Sequence, residues 1–126
     1  MSDMNTPLAK VRGLGSAKTG THHWWMQRVS AVANIPLVIW FFISMLGHIK
    51  SDFAMLSSWM QVPFVAVLMI LLIANMSYHM KLGLQTAIED YVHGRARVVS
   101  MLTLDFVTAV VAVLGIFSVL KISFGG

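Results

Sequence analysis

The chain has 126 residues, 57% of them hydrophobic and 11% charged, with a formal net charge of +4. Soluble domains carry roughly 25% charged residues, so this composition excludes an ordinary water-soluble domain and makes the bilayer the expected solvent. The absence of cysteine excludes disulfides and thiolate metal ligands, and the length suits one domain, 1–126.

Residues 1–28 read as a cytoplasmic or interfacial segment. The first 21 are polar and rich in Gly, Ser, Thr and Lys/Arg, with Pro7, and little independent structure is expected there. A signal peptide fits poorly. The basic region is too long, the apolar run that follows is of full spanning length, and no small-residue cleavage site comes after it. The entry His22-His23-Trp24-Trp25-Met26-Gln27-Arg28 suits a membrane–water interface, where tryptophan is enriched. A first span is expected over 29–47, with Pro36 inside it as a possible kink that a helical bundle tolerates. Ser30 and Asn34 fall on one helical face and are expected to face protein.

Residues 48–62 read as a short loop with Trp59 as an interfacial anchor. The second span is expected over 63–84, opening at Pro63, a good first-turn residue. Its helical pattern continues to about Val92, since nothing breaks it before Gly94. A second loop over about 92–100 holds His93, Arg95 and Arg97, and the third span covers 101–120. The fold class is an all-α membrane protein with three transmembrane helices. Lys10, Arg12, Lys18, Arg28, Arg95 and Arg97 then lie at one membrane face. The positive-inside rule puts the amino terminus on the cytoplasmic side and the carboxyl terminus outside. The basic residues thus report topology and do not call for nucleic acid.

An ionisable residue within a span is costly and is a functional candidate. His79 lies where the second apolar run ends, and Asp90 follows it eleven residues later on nearly the same helical face, about 16 Å along the axis. Two readings stand for His79. It is a haem-iron ligand, or a packing histidine hydrogen-bonded to a neighbouring helix. No second histidine lies within another span, so a bis-histidine site needs a partner subunit. Tyr91 and Asp90 suit a quinone carbonyl and its proton, or an interfacial anchor beside a solvated acid. Arg28 and His22 suit haem propionates, or lipid phosphate. Lys81 points nearly opposite His79 and either snorkels or pairs with a neighbour. Asp105 is expected in the first turns of the third span, favoured by the helix dipole.

The pattern His79-x10-Asp90-Tyr91, the segments Gly83-Leu84-Gln85 and Glu89-Asp90-Tyr91-Val92-His93, and the entry His22 to Ala31 resemble the hydrophobic membrane-anchor (D) subunit of succinate dehydrogenase. The lead Gly13-Leu14-Gly15-Ser16-Ala17 is similar to that of alphaproteobacterial members. The resemblance covers nearly the whole chain. It implies an anchor subunit of succinate:quinone oxidoreductase, serving the respiratory chain and the tricarboxylic acid cycle in a bacterial inner membrane and not catalytic by itself. Its three helices would complete a bundle with a second, cytochrome b-type anchor subunit, and iron–sulfur and flavoprotein subunits would dock on the cytoplasmic side. His79 would be one axial ligand of a haem b shared with the second anchor. Tyr91 would hydrogen-bond ubiquinone, Asp90 would lie in the quinone pocket, Arg28 near the propionates or the quinone, and His22 near a propionate. Two other readings stand beside it: a cofactor-free membrane scaffold, and the anchor of a quinol:fumarate reductase.

Overall fold

The computed structural model describes residues 6–11 and 18–125. The Gly13–Ala17 lead and Arg12 lie outside the described residues. Among the described residues five helices follow in order: α1 (Pro7–Val11), α2 (Lys18–Gly47), α3 (Phe53–Met60), α4 (Pro63–Tyr91) and α5 (Arg95–Ser123). No strand occurs among the described residues. Segments of α2, α4 and α5 (Gly20–Gly47, Pro63–Tyr91 and Arg95–Ser123) are long and apolar enough to cross a bilayer.

The long helices exceed their predicted spans, and the reason is physical. Hydropathy marks where a chain meets hydrocarbon, whereas a helix ends where the backbone is broken. A bilayer core of about 30 Å needs about 20 helical residues, while α2 has 30 and α4 and α5 have 29 each. Helix α2 therefore starts at Lys18, well before the predicted Val29, and carries the whole interfacial entry on its first turns. It continues through Pro36. Helix α4 opens with Pro63 in its first turn and ends at Tyr91, close to the expected end at Val92. The predicted loop over 92–100 shrinks to Val92-His93-Gly94. Gly94 has φ 69° and ψ −144°, a conformation nearly restricted to glycine, so one residue turns the chain and α5 begins at once. The first connection also differs from expectation. Asp52 caps α3 by accepting a hydrogen bond from the Met55 amide at 2.9 Å, and an eight-residue helix replaces most of the predicted loop. Trp59 on α3 stacks on Trp40 of α2 with ring centroids 6.0 Å apart and lies 4.6 Å from the His48 ring.

The three long helices form a single layer with α4 in the middle. Helix α4 packs against both α2 and α5, and α2 and α5 make no close approach to one another. Matched contacts give the directions. Ser30 meets His79 and His23 meets Leu82, so α2 and α4 are antiparallel. Ile73 meets Gly115 and Lys81 meets Asp105, so α4 and α5 are too. The start of α2, the end of α4 and the start of α5 thus share one end of the layer. Burial is sparse and centred on α4, at Val65, Ala66, Leu72, Ser77 and Leu82. Outside it, only Ser30 and Val119 are buried among the described residues.

The α4–α5 contact depends on a glycine. A Cβ on Gly115 would sit 3.0 Å from Cγ2 of Ile73, so the two backbones approach closely because no side chain intervenes, as in membrane helix pairs generally. Gly115→Leu should overpack this crossing, lower resistance to SDS unfolding by about 1–3 kcal/mol, and be partly rescued by Ile73→Ala. Equal stability of Gly115→Leu and wild type would show the close approach to be dispensable.

Candidate functional site

A polar seam runs through the α2–α4 interface. His23, Gln27, Ser30 and Asn34 recur at helical spacing along one face of α2, and each meets α4 or the cavity beside it. The His23 Nε2–H donates to the Leu82 carbonyl at 3.1 Å, which also accepts from the Thr86 hydroxyl. The Gln27 side chain lies over Gly83, its amide nitrogen 3.9 Å from where a glycine-replacing Cβ would stand. Ser30, only 3% exposed, is gripped from α4 at two points. Its Oγ lies 2.8 Å from His79 Nδ1, and its carbonyl accepts from Asn75 Nδ2 at 2.9 Å. Asn75 and His79 are one turn apart, so a single face of α4 holds one residue of α2. In hydrocarbon such polar groups must find partners within protein, and this seam supplies them for His23, Ser30 and Asn75.

Beside the seam lies an apolar groove with a volume of about 390 Å³. Its wall includes His79, Ile73, Met76 and Met80 of α4, Asn34 of α2 and Gly115 of α5. His79 therefore spans two environments. One ring nitrogen bonds Ser30, and Nε2 has no hydrogen-bond partner among the described residues. Asn34 Oδ1 is buried at the same place without a hydrogen-bond partner. A buried unpaired acceptor costs roughly 1–3 kcal/mol, so Asn34 is held in the groove wall at a cost. Ser30 and Asn34 do face protein, as their spacing predicted.

The other predicted site residues lie apart from this groove. Asp90 and Tyr91 are exposed at the end of α4, Tyr91 by 84%, and neither makes a hydrogen bond or ion pair among the described residues. Arg28 is exposed on α2 and packs its guanidinium over Trp24, 5.2 Å from the ring centroid, a cation–π contact. His22 is exposed, whereas its neighbour His23 turns to α4. No hydrogen bond or ion pair joins Arg28 or His22 to His79. Among the described residues no three His, Asp or Glu side chains cluster as a metal site.

Two charged residues of the spans prove to be partners. Lys81 Nζ lies 3.1 Å from Asp105 Oδ1, tying α4 to α5. The dipole reading of Asp105 is thereby corrected. Because α5 begins at Arg95, Asp105 is beyond its first turn and outside the reach of the helix terminus. Its partner is the lysine.

The sequence profile of the succinate dehydrogenase/fumarate reductase transmembrane subunits matches residues 2–118. The chain belongs to this family. It is 35% identical over 92 residues to the succinate dehydrogenase hydrophobic membrane anchor subunit of Paracoccus denitrificans, covering 73% of this chain and 71% of the relative. The protein of the same description from Rickettsia conorii is 31% identical over 91 residues, covering 71% and 72%. That of Rickettsia bellii is 30% identical over 90 residues, with the same coverage. No solved structure matches the chain. The chain is thus a multi-pass membrane-anchor subunit and is not an enzyme by itself.

The anchor subunit's seam includes His23 and Gln27, which the sequence places only in the interfacial entry, and Asn75, to which it gives no role. A signal existed on α2, where His23, Gln27, Ser30 and Asn34 repeat every three or four residues. None existed for Asn75, whose role depends on which residue of α2 it meets. The Lys81–Asp105 pair is partly open at the helix surface, 32% and 52% at the two side chains. Lys81→Met or Asp105→Leu alone should lower stability to SDS, and the double substitution should recover most of the loss, since it strands neither charge. Strictly additive losses would show the two side chains to be uncoupled.

Proposed function

We propose that this anchor subunit belongs to a succinate:quinone oxidoreductase of the bacterial inner membrane, holds a haem b through His79, and contributes Tyr91 and Asp90 to the site where ubiquinone is reduced. The observation that carries this reading is His79 itself, with one nitrogen bonded to Ser30 and the other unpaired beside an apolar groove. The residues fit a b-type haem. The groove wall of Ile73, Met76, Met80 and Val111 suits a porphyrin face, and methionine adapts to such surfaces. The groove is open on one side, and this chain offers a single histidine there. A second anchor subunit of cytochrome b type would supply the opposite wall and the other axial ligand. Bound there, the haem would supply one-electron exchange.

The remaining steps concern side chains of this chain. Tyr91 would donate its phenolic hydrogen to a quinone carbonyl, orienting the ring. Asp90 beside it would hold or relay one of the two protons that quinone reduction consumes. Their exposure suits residues that complete a pocket only against another subunit. Arg28 would face a propionate or the quinone pocket, with Trp24 fixing one side of its guanidinium. His22 would be a further propionate contact.

Topology supports the same arrangement. Lys18, Arg28, Arg95 and Arg97 share the layer end that holds Asp90 and Tyr91, so the positive-inside rule assigns that end, and the amino terminus, to the cytoplasm. The carboxyl terminus is then periplasmic. Iron–sulfur and flavoprotein subunits would dock on the cytoplasmic end, delivering electrons from succinate next to the quinone residues. The curated relatives are named for succinate dehydrogenase, which favours this direction over quinol:fumarate reduction.

A dithionite-reduced minus oxidised spectrum of the purified complex tests the haem. A b-type signal lost in His79→Ala, with the subunits still associated, is the expected result. An unchanged signal would remove His79 as the ligand, and a complex without haem would leave a cofactor-free scaffold. Tyr91→Phe should lower ubiquinone reduction about tenfold or more, the effect of one lost hydrogen bond to a reacting carbonyl, while succinate oxidation by a soluble acceptor persists. A parallel fall in both activities would indicate faulty assembly instead.

A further inference from the structure

We infer that Ser30 is a positioning residue for His79: its hydroxyl decides which imidazole nitrogen keeps a free lone pair and holds that nitrogen toward the groove. The inference rests on the proposed haem reading for the identity of the metal. The tautomer it assigns is a property of this chain alone.

The available protons fix the tautomer. A serine hydroxyl has one hydrogen to donate and lone pairs with which to accept. Ser30 Oγ lies 3.0 Å from the Gln27 carbonyl oxygen and 2.8 Å from His79 Nδ1. A carbonyl oxygen only accepts, so the hydroxyl hydrogen points to Gln27. The contact with His79 must then be supplied from the imidazole side, with Nδ1–H as donor and Ser30 Oγ as acceptor. A neutral imidazole carries one such hydrogen. Nε2 is therefore the nitrogen with the lone pair, and it has no hydrogen-bond partner among the described residues. A neutral ring donating from one nitrogen and presenting the other is the form in which histidine binds a metal.

The hydroxyl has little freedom to choose otherwise. Ser30 is almost fully buried, its backbone carbonyl is held by Asn75, and its side chain lies back on the helix that carries it. Asn75 and His79 thus fix the serine between them, and the serine returns a fixed ring plane to His79. Ser30 sets ligand strength as well as geometry. Its hydroxyl is a neutral acceptor, so the Nδ1–H bond is less polarised than it would be to a carboxylate, and the imidazole is the weaker electron donor.

The test uses the full chain in bilayers with 15N-labelled histidine, the His79 signal being assigned by its loss in His79→Gln. Wild type should show a single Nδ1–H tautomer. Ser30→Ala should lose that uniformity, and Ser30→Thr, which keeps the hydroxyl, should retain it. A wild-type Nε2–H tautomer, or an unaltered tautomer in Ser30→Ala, would overturn the inference. In the haem-loaded complex, Ser30→Ala should keep its haem but shift both the midpoint potential and the low-spin electron paramagnetic resonance g values, with Ser30→Thr close to wild type. Unchanged potential and g values in Ser30→Ala would overturn the positioning role while sparing His79 as ligand. The expected tautomers in a complex that holds no haem would sustain the Ser30 assignment and overturn the haem reading.

Discussion

The hydrogen bond between Ser30 and His79 governs how α2 and α4 meet. A bilayer core offers no water to a stray polar group, so an imidazole placed in a span must be paired from within protein. Ser30 provides that pairing, and the requirement sets the register of the two helices. A shift of one residue along α2 would rotate the serine about 100° off the seam. It would also strip His79 and the Asn75 amide of their partners together. Each unpaired group costs roughly 1–3 kcal/mol, whereas sliding one apolar face along another in lipid costs far less, because lipid tails solvate leucine as well as another helix does. The polar seam therefore specifies the packing more sharply than the apolar residues around it.

The other side of α4 is fixed by different means. There the crossing relies on Gly115, which lets Ile73 approach the α5 backbone, and on the Lys81–Asp105 pair nearer the basic end. Helix α4 is thus held by hydrogen bonds on one flank and by close packing plus one ion pair on the other. A central helix clamped on both flanks, with its neighbours apart, makes a layer and not a closed bundle. A layer leaves one face of every helix uncovered, and the groove beside His79 lies on such a face. The sparse burial of α2 and α5 has the same origin. It is the expected form of a subunit whose remaining contacts are made by lipid and by other chains.

Some of this was legible in the residues and some was not. The spans were readable because long apolar runs have few other uses. His79 was readable because an ionisable side chain inside such a run is rare enough to require a reason. Pro63 marked the start of α4, since proline suits a first turn. The helix ends were misjudged where hydropathy and backbone geometry disagree. The polar entry at 18–28 and the basic stretch at 95–100 lie outside the apolar runs yet inside the helices. Helix α3 is not evident from sequence although Asp52 stands in capping position before it, because an apolar stretch of eight residues, too short to span a bilayer, reads equally well as loop. Asp105 reads as a dipole partner only while the third helix is taken to start near residue 101, and α5 begins at Arg95. The partners Asn75 and Lys81 could be given roles only once the neighbouring helices were in place, since pairing across an interface leaves no local signature.

The arrangement also explains why His79 and Asp90-Tyr91 share one helix yet occupy such different surroundings. They lie three turns apart on α4, and α4 is longer than a bilayer core requires. The histidine stays at a depth where Ser30 must partner it. The last turns carry an acid and a phenol that stand exposed, which costs little where water and headgroups solvate them. One continuous helix thus holds a buried nitrogen and an exposed carboxylate at a fixed separation of about 16 Å along its axis, with no loop between them to flex. Loops tolerate displacement and helices do not. That rigidity keeps His79 and the Asp90-Tyr91 end of α4 in constant relation. The Lys81–Asp105 pair, just past His79, and the tight Gly94 turn, beyond Tyr91, fasten α5 to α4 near the two ends of that stretch.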